Sequence, residues 1–451
     1  MKSCTSVTVS LALLLGANAH KHGKGGNAPG ETLILSDSFN LLDHDLWEHE
    51  ITAGGAKGGN WEFQYFTNNR TNTFVSGGAL HIQPTLTAQL FTEDGVTGVT
   101  PATLDLWGSS PADACTSNAF YGCGRSSNAI AHMSLPPVQS ASLRTAESFS
   151  FRYGRVEVVA KLPRGDWIKP SISLLPARNV YGAWPSSGEI TIMQSRGNAP
   201  GYAAAGDDAG GGCNVVSSLA HWGPHYSQNK WPLTIGSVAA PAGDTFADDF
   251  HTYGLFWDQD ILYTYVDDDS NRVMSIAFNE SASMWEKGGF EGSGMANPWE
   301  GGSAAAPFDQ RFYISMSVSV GGVNGYFIDG MEGKPWTDSN GQAAMEFWNA
   351  TSDWWPTWSD SALQVESVKV WQGDSGSNGG SYAAAGMYYR AAEGVSALGG
   401  APAPSRSSST PAGPSQASIA MVAGAIGLCV GIVATALARQ ANTRMLRYQE
   451  L

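Results

Sequence analysis

The chain has 451 residues, a formal net charge of −15, only 14% charged residues, 11% aromatics and 54 glycines. This balance argues against nucleic-acid binding, which needs a basic footprint, and against a helical bundle, which needs more charge and less glycine. It suits a loop-rich β-body and a neutral ligand that is indifferent to acidic charge.

Residues 1–19 read as a secretory signal, with Lys2 at a positive start, an apolar run from Val7 to Gly16, and Ala17-Asn18-Ala19 as a small-x-small cleavage site. Residues 20–30 form a linker, and 31–371 form the body. Its strands announce themselves by alternation: Val156, Val158, Ala160 and Leu162 share one face, and Ile261–Val266 and Leu363–Trp371 repeat the pattern. Phe312, Ile314, Met316, Val318 and Val320 line one face of a further strand, opposite Tyr313, Ser315, Ser317 and Ser319. Many short strands without helical periodicity predict two packed sheets with few, short helices. Sequons at Asn69, Asn279 and Asn349 mark glycosylation positions of an exported chain.

Beyond Trp371, residues 372–416 are dominated by Gly, Ser, Ala and Pro and read as a stalk with no core to bury. Residues 417–438 carry no charge and are long enough to cross a bilayer as a helix. Arg439, Arg444 and Arg447 follow in the tail 439–451, which predicts a type I single-pass protein with a lumenal or extracellular body, at the cell surface or in the endomembrane system. No cofactor is implied; no spacing forms a metal cluster and nothing indicates a structural calcium ion. The oligomeric state is not legible.

The stretch with the most chemistry in it is Trp184-Pro185-Ser186-Ser187-Gly188-Glu189-Ile190-Thr191-Ile192-Met193-Gln194. On a strand, Glu189 and Thr191 point one way while Ile190 and Ile192 enter the core. Strict alternation would bury Gln194. One extra residue, a bulge around Met193, returns Gln194 to the polar face, and bulges are frequent beside active sites.

This stretch resembles the signature of family 16 glycoside hydrolases, the laminarinases and the related β-1,3-glucan-recognition proteins, whose active members read Glu-Ile-Asp-Ile-Met-Glu. The resemblance runs from about Leu33 to Trp371 and includes Asn60-Trp61-Glu62-Phe63-Gln64-Tyr65, Tyr153-Gly154-Arg155-Val156-Glu157-Val158, Leu162-Pro163-Arg164-Gly165-Asp166-Trp167, His221-Trp222-Gly223-Pro224 and Val320-Gly321-Gly322-Val323-Asn324-Gly325-Tyr326-Phe327. It implies a concanavalin-like jelly-roll β-sandwich with a glycan cleft. It assigns Glu189 to the nucleophile position, Thr191 to a lost helper aspartate and Gln194 to a lost acid/base. Trp184, His221, Trp222 and Arg70 then become candidate sugar contacts, while Trp47, Trp61, Trp348, Trp354, Trp355 and Trp358 are expected to pack. Cys115 and Cys123 resemble a paired loop of the glucan-recognition relatives and are expected to form a disulfide, leaving Cys213 free or paired between chains. Lys169, Ser173 and Phe256 depart from the family pattern and are expected to reshape the cleft.

Retaining hydrolysis needs two carboxyl groups about 5–5.5 Å apart, and an amide cannot replace the acid. Three functions follow, in order of preference. The first is a membrane-anchored β-1,3-glucan-binding protein with little or no hydrolysis. The second is an endo-β-glucanase or transglycosylase that uses Glu189 with an acid from elsewhere. The third is a surface scaffold that binds no glycan.

Overall fold

Apolar residues spaced two apart give each long strand one face that is costly to leave in water, and two sheets bury these faces against each other. The computed structural model describes residues 30–54, 61–110, 112–202, 211–278, 282–331, 333–373 and 388–389. The strands of its two large sheets are β1 (Glu31–Asp37), β2 (Glu48–His49), β3 (Thr73–Ser76), β4 (Ala79–Ile82), β5 (Ser142–Arg144), β6 (Gly154–Lys161), β7 (Ile168–Pro176) and β8 (Glu189–Ser195). They continue with β9 (Val215–His221), β10 (Ile235–Ala239), β11 (His251–Trp257), β12 (Ile261–Val266), β13 (Arg272–Ala277), β14 (Phe312–Val320), β15 (Leu363–Gly373) and β16 (Tyr388–Tyr389).

One sheet runs β13-β12-β11-β6-β15-β1-β16, with β4 also pairing β15 and β3 pairing β4; the other runs β10-β9-β8-β7-β14-β5-β2. Except for β1 with β16, the pairs in both are antiparallel. Val156, Val158 and Ala160 of the first sheet join Ile168, Ile172, Leu174, Ile190, Ile314, Met316, Val318 and Val320 of the second in one buried core, with Leu162 just past the end of β6. The body is therefore an all-β sandwich. Among the described residues helices are short, the longest being Ala88–Thr97.

Several expectations fall outside the described residues: the signal at 1–19, nearly all of the linker and stalk, the apolar segment 417–438, the tail, and Asn279. Among the described residues no helix is long and apolar enough to cross a membrane. Asn69 is half-buried, and its Oδ1 accepts a bond from the Thr71 backbone N–H, while Asn349 is exposed at the end of the helix Ala343–Asn349.

Candidate functional site

The bulge in β8 is real and can be located by register. Thr191 pairs with Ser173 and Gln194 with Ser171 on β7, so Ile172 alone faces both Ile192 and Met193. On the other side Thr191 pairs with Leu219 and Gln194 with Ser217. Ser173 and Ser171 are two residues apart and share a face, so Thr191 and Gln194 share it too. Both bulge residues, Ile192 and Met193, are buried in the core. Glu189, Thr191 and Gln194 therefore line the polar face of the second sheet.

The entry into β8 is fixed by its turn. Gly188 has φ +78°, and a Cβ there would press on the Phe308 ring at 3.0 Å, so only glycine turns the chain cleanly into Glu189. Ser187 caps the preceding loop by donating to Gly182 O at 2.8 Å, and Trp299 Nε1 donates to Ser186 O at 2.8 Å. This holds Trp184, 45% exposed, over Glu189, which is 2% exposed.

The Trp184 Nε1–H donates to Glu189 Oε2 at 2.9 Å, and the Thr191 hydroxyl donates to Oε1 at 3.4 Å. With its proton committed there, Thr191 Oγ1 accepts from Ser173 at 3.2 Å, and Ser173 in turn accepts from Ser171 at 3.1 Å. Two side chains thus donate to the carboxylate, and a relay of two serine hydroxyls stands behind one of them. His221 is in register with Glu189, and its ring lies 5.3 Å from that of Trp184. Asn229 Oδ1 accepts the backbone N–H groups of Trp222 and Trp231, both at 3.3 Å, so its Nδ2 is the donor to His221 Nδ1 at 2.8 Å. The His221 proton is thereby assigned to Nε2.

Further along the face, Tyr313 lies among charges. Burial pushes its phenol up to about 12; the Arg144 guanidinium opposes this, and the Glu50, Glu189 and Glu48 carboxylates add to it. Arg144 holds Glu48 in a two-pronged pair at 3.2 and 2.9 Å. At the far end of β7, Lys169 lies 3.5 Å from Glu62 and 4.5 Å from the centre of the Tyr326 ring, against which Arg196 also packs.

The structure corrects three expectations, for Trp222, Phe256 and Trp61, and sets Arg70 apart from Glu189. Trp222 is 1% exposed and donates its Nε1–H to Thr234 Oγ1 at 3.0 Å; adjacent strand residues face opposite ways, so with His221 at the site Trp222 must enter the core. Arg70 is not brought to Glu189. Its guanidinium contacts His44 Nε2 at 2.9 Å, and the His44 ring packs against His49 of β2, four strand spacings or roughly 19 Å from β8. Phe256 lies on β11 in the opposite sheet, stacked on Tyr263, and cannot shape the polar face. Trp61 does not pack inside but is 56% exposed.

Trp47, Trp348, Trp354 and Trp358 are buried, as expected, and Trp355 is partly so. Lys169 and Ser173 do lie on the polar face. Cys115 and Cys123 are joined in a disulfide. Cys213 is buried and unpaired, which does not favour a bond between chains. Among the described residues no cluster of His, Cys, Asp and Glu could hold a metal ion. Sequence reasoning overlooked Asn229, Arg144 and Tyr313. Tyr313 could have been found by following its own alternating series, whereas Asn229 and Arg144 become visible only through tertiary pairing.

Known proteins give the same picture of ancestry. The model of the glycosyl hydrolases family 16 matches residues 117–306. A β-1,3-glucan-binding protein of Penaeus monodon is 43% identical over 355 residues, which is 76% of this chain and 91% of that protein. The β-1,3-glucan-binding protein 1 of Manduca sexta is 32% identical, and the match spans 75% of this chain but only 64% of that protein. A laminarinase catalytic domain from Thermotoga maritima superposes with a TM-score of 0.47 at 20% identity, covering 76% of this chain and 98% of that one. With a bulged strand that presents Glu189, Thr191 and Gln194 on one face, and a relative of this identity matched over nearly its whole length, the chain belongs to glycosyl hydrolase family 16.

Proposed function

We propose that the protein binds β-1,3-glucan on the polar face around Glu189 and hydrolyses it little or not at all. The observation that carries this reading is the identity and setting of position 194: an amide whose in-register neighbours are the hydroxyls of Ser171 and Ser217. General acid catalysis is typically worth a hundred- to ten-thousand-fold, and neither an amide nor a serine hydroxyl supplies it. What remains suits recognition. Glu189 accepts and His221 Nε2 donates hydrogen bonds to sugar hydroxyls, and the exposed Trp184 ring offers an apolar plane to a pyranose face. The names of the two glucan-binding relatives support the choice of ligand.

Pull-down of the full-length chain on insoluble β-1,3-glucan tests this. The expected outcome is saturable retention that laminarin competes away and that Trp184→Ala weakens about tenfold, the scale of one buried aromatic face. Absence of retention would refute it.

The proposal extends to placement. The signal at 1–19, the uncharged segment 417–438 and the arginines after it support a membrane-anchored protein with its body outside the cytosol. Protease added to intact cells should remove the body and spare a tag placed after Leu451; the reverse pattern would invert the orientation.

A further inference from the structure

We propose that Trp61, Phe120 and Tyr121 form a second, aromatic sugar-binding platform that takes a neutral β-glucan chain running on from the Glu189 recess. The platform rests on the glucan-binding reading above and extends the site to a surface that this reading does not use.

Its first support is exposure. Trp61 is 56% exposed and Tyr121 79% exposed, Phe120 is also exposed, and the Trp61 and Phe120 rings lie 5.0 Å apart. Large rings clustered in water mark an interaction surface.

Its second support is that the platform is built. Trp61, Phe120 and Tyr121 all adopt positive φ, at 55°, 52° and 62°, a conformation that costs a bulky residue energy and persists only where surrounding structure enforces it. The enforcement is visible. The Cys115–Cys123 loop is closed by its disulfide and sewn to the segment Ile51–Ala53. Ile51 N–H donates to Thr116 Oγ1 at 3.0 Å, Thr52 Oγ1 donates to Ser117 O at 2.8 Å, and Ala53 N–H donates to Gly122 O at 2.7 Å. At Gly122 a Cβ would meet Thr52 Oγ1 at 2.3 Å, so the loop can lie this close only because that residue is glycine. Rings held this way lose little freedom on binding.

Its third support is continuity. Trp61 O accepts the Val323 N–H at 3.1 Å just past the end of β14, and the next residue, Glu62, meets Lys169 on the polar face. Lys169 is two residues from Ser171, the partner of Gln194, so the platform adjoins the end of the recess opposite Trp184. The loop Thr116–Gly122 carries no charged residue, which fits a neutral chain better than an ionic one.

The test compares ligand lengths on the full-length chain. The variant Trp61→Ala/Phe120→Ala/Tyr121→Ala should lose about tenfold or more in affinity for laminarin and keep that for laminaribiose, which fills only the recess, whereas Trp184→Ala should weaken both. Trp61→Ala alone leaves the disulfide loop untouched and should lose about threefold for laminarin with an unchanged melting temperature. Unchanged laminarin affinity in the triple variant overturns the platform and leaves the patch to a protein partner. Loss of laminaribiose binding at an unchanged melting temperature also overturns it, because the rings would then belong to the recess. A wild-type chain that binds no laminarin overturns this inference and the proposed function together, whereas the first two outcomes leave the function standing.

Discussion

At Gln194 one functional group separates a binding site from a hydrolytic one. Gln194→Glu places an acid on the face that already holds Glu189, and Thr191→Asp restores a second carboxylate between them. The double variant should gain laminarin hydrolysis at least a hundredfold above the parent, and Gln194→Glu alone should gain part of it, since the proton donor is the larger loss. Reducing-sugar release measures the gain. A folded double variant that still binds glucan and releases nothing would mean that the recess, not the missing acids, blocks the chemistry. These three positions were legible in the sequence because a strand has a period of two and a single bulge is the simplest correction that returns residue 194 to the polar face. Trp222 was misjudged and the place of Arg70 was not legible, for complementary reasons. The His221-Trp222 pair must split between faces, and sequence alone does not say which residue takes the site; a loop arginine is positioned by tertiary contacts that no local pattern encodes. Trp61 was misread because its exposure depends on a left-handed backbone conformation enforced by distant segments.

The bulge of β8 gives the strand one residue more than its neighbours need. Because Ile172 faces both Ile192 and Met193, deleting Met193 should straighten the strand and keep Glu189, Thr191 and Gln194 on the polar face. The cost is a lost buried methionine, about 2–5 kcal/mol by denaturant melting, with glucan binding retained. If the deletion abolished binding in a folded chain, the bulge would have a role beyond phase. The same logic explains why the long strands were legible while the short ones were not. The nine residues of β14 repeat their pattern enough to be seen, whereas β2 and β5, of two and three residues, owe their place to the sheet they complete.

For the whole molecule, His49 links the fold to pH. Burial first, then the charges of Arg70 and His44, lower its imidazole to about 4 against an ordinary 6.5, and its Nε2 lies 3.2 Å from Thr73 Oγ1. The unfolded chain therefore binds the proton more readily, so stability is fully present above the unfolded value and falls as pH drops from 6.5 toward 4. By pH 5 the loss should be roughly 2 kcal/mol, and His49→Gln should flatten that part of the profile. An unchanged slope in the variant would assign the acid sensitivity to other groups. On the larger scale the sandwich was legible from alternation and composition, but the way the sheets bring β7, β8 and β9 together with the segment at Trp61 was not, because it follows from strand order rather than from any one strand.

The measurement that bears most directly on the central claim is laminarin turnover by the unmodified full-length chain, followed alongside equilibrium binding in the same preparation. The account predicts saturable binding with product release at or near background, and no further change in product on Glu189→Gln. Robust release of reducing sugar that disappears in Glu189→Gln would contradict it and make the protein an enzyme that draws its acid from elsewhere on the face.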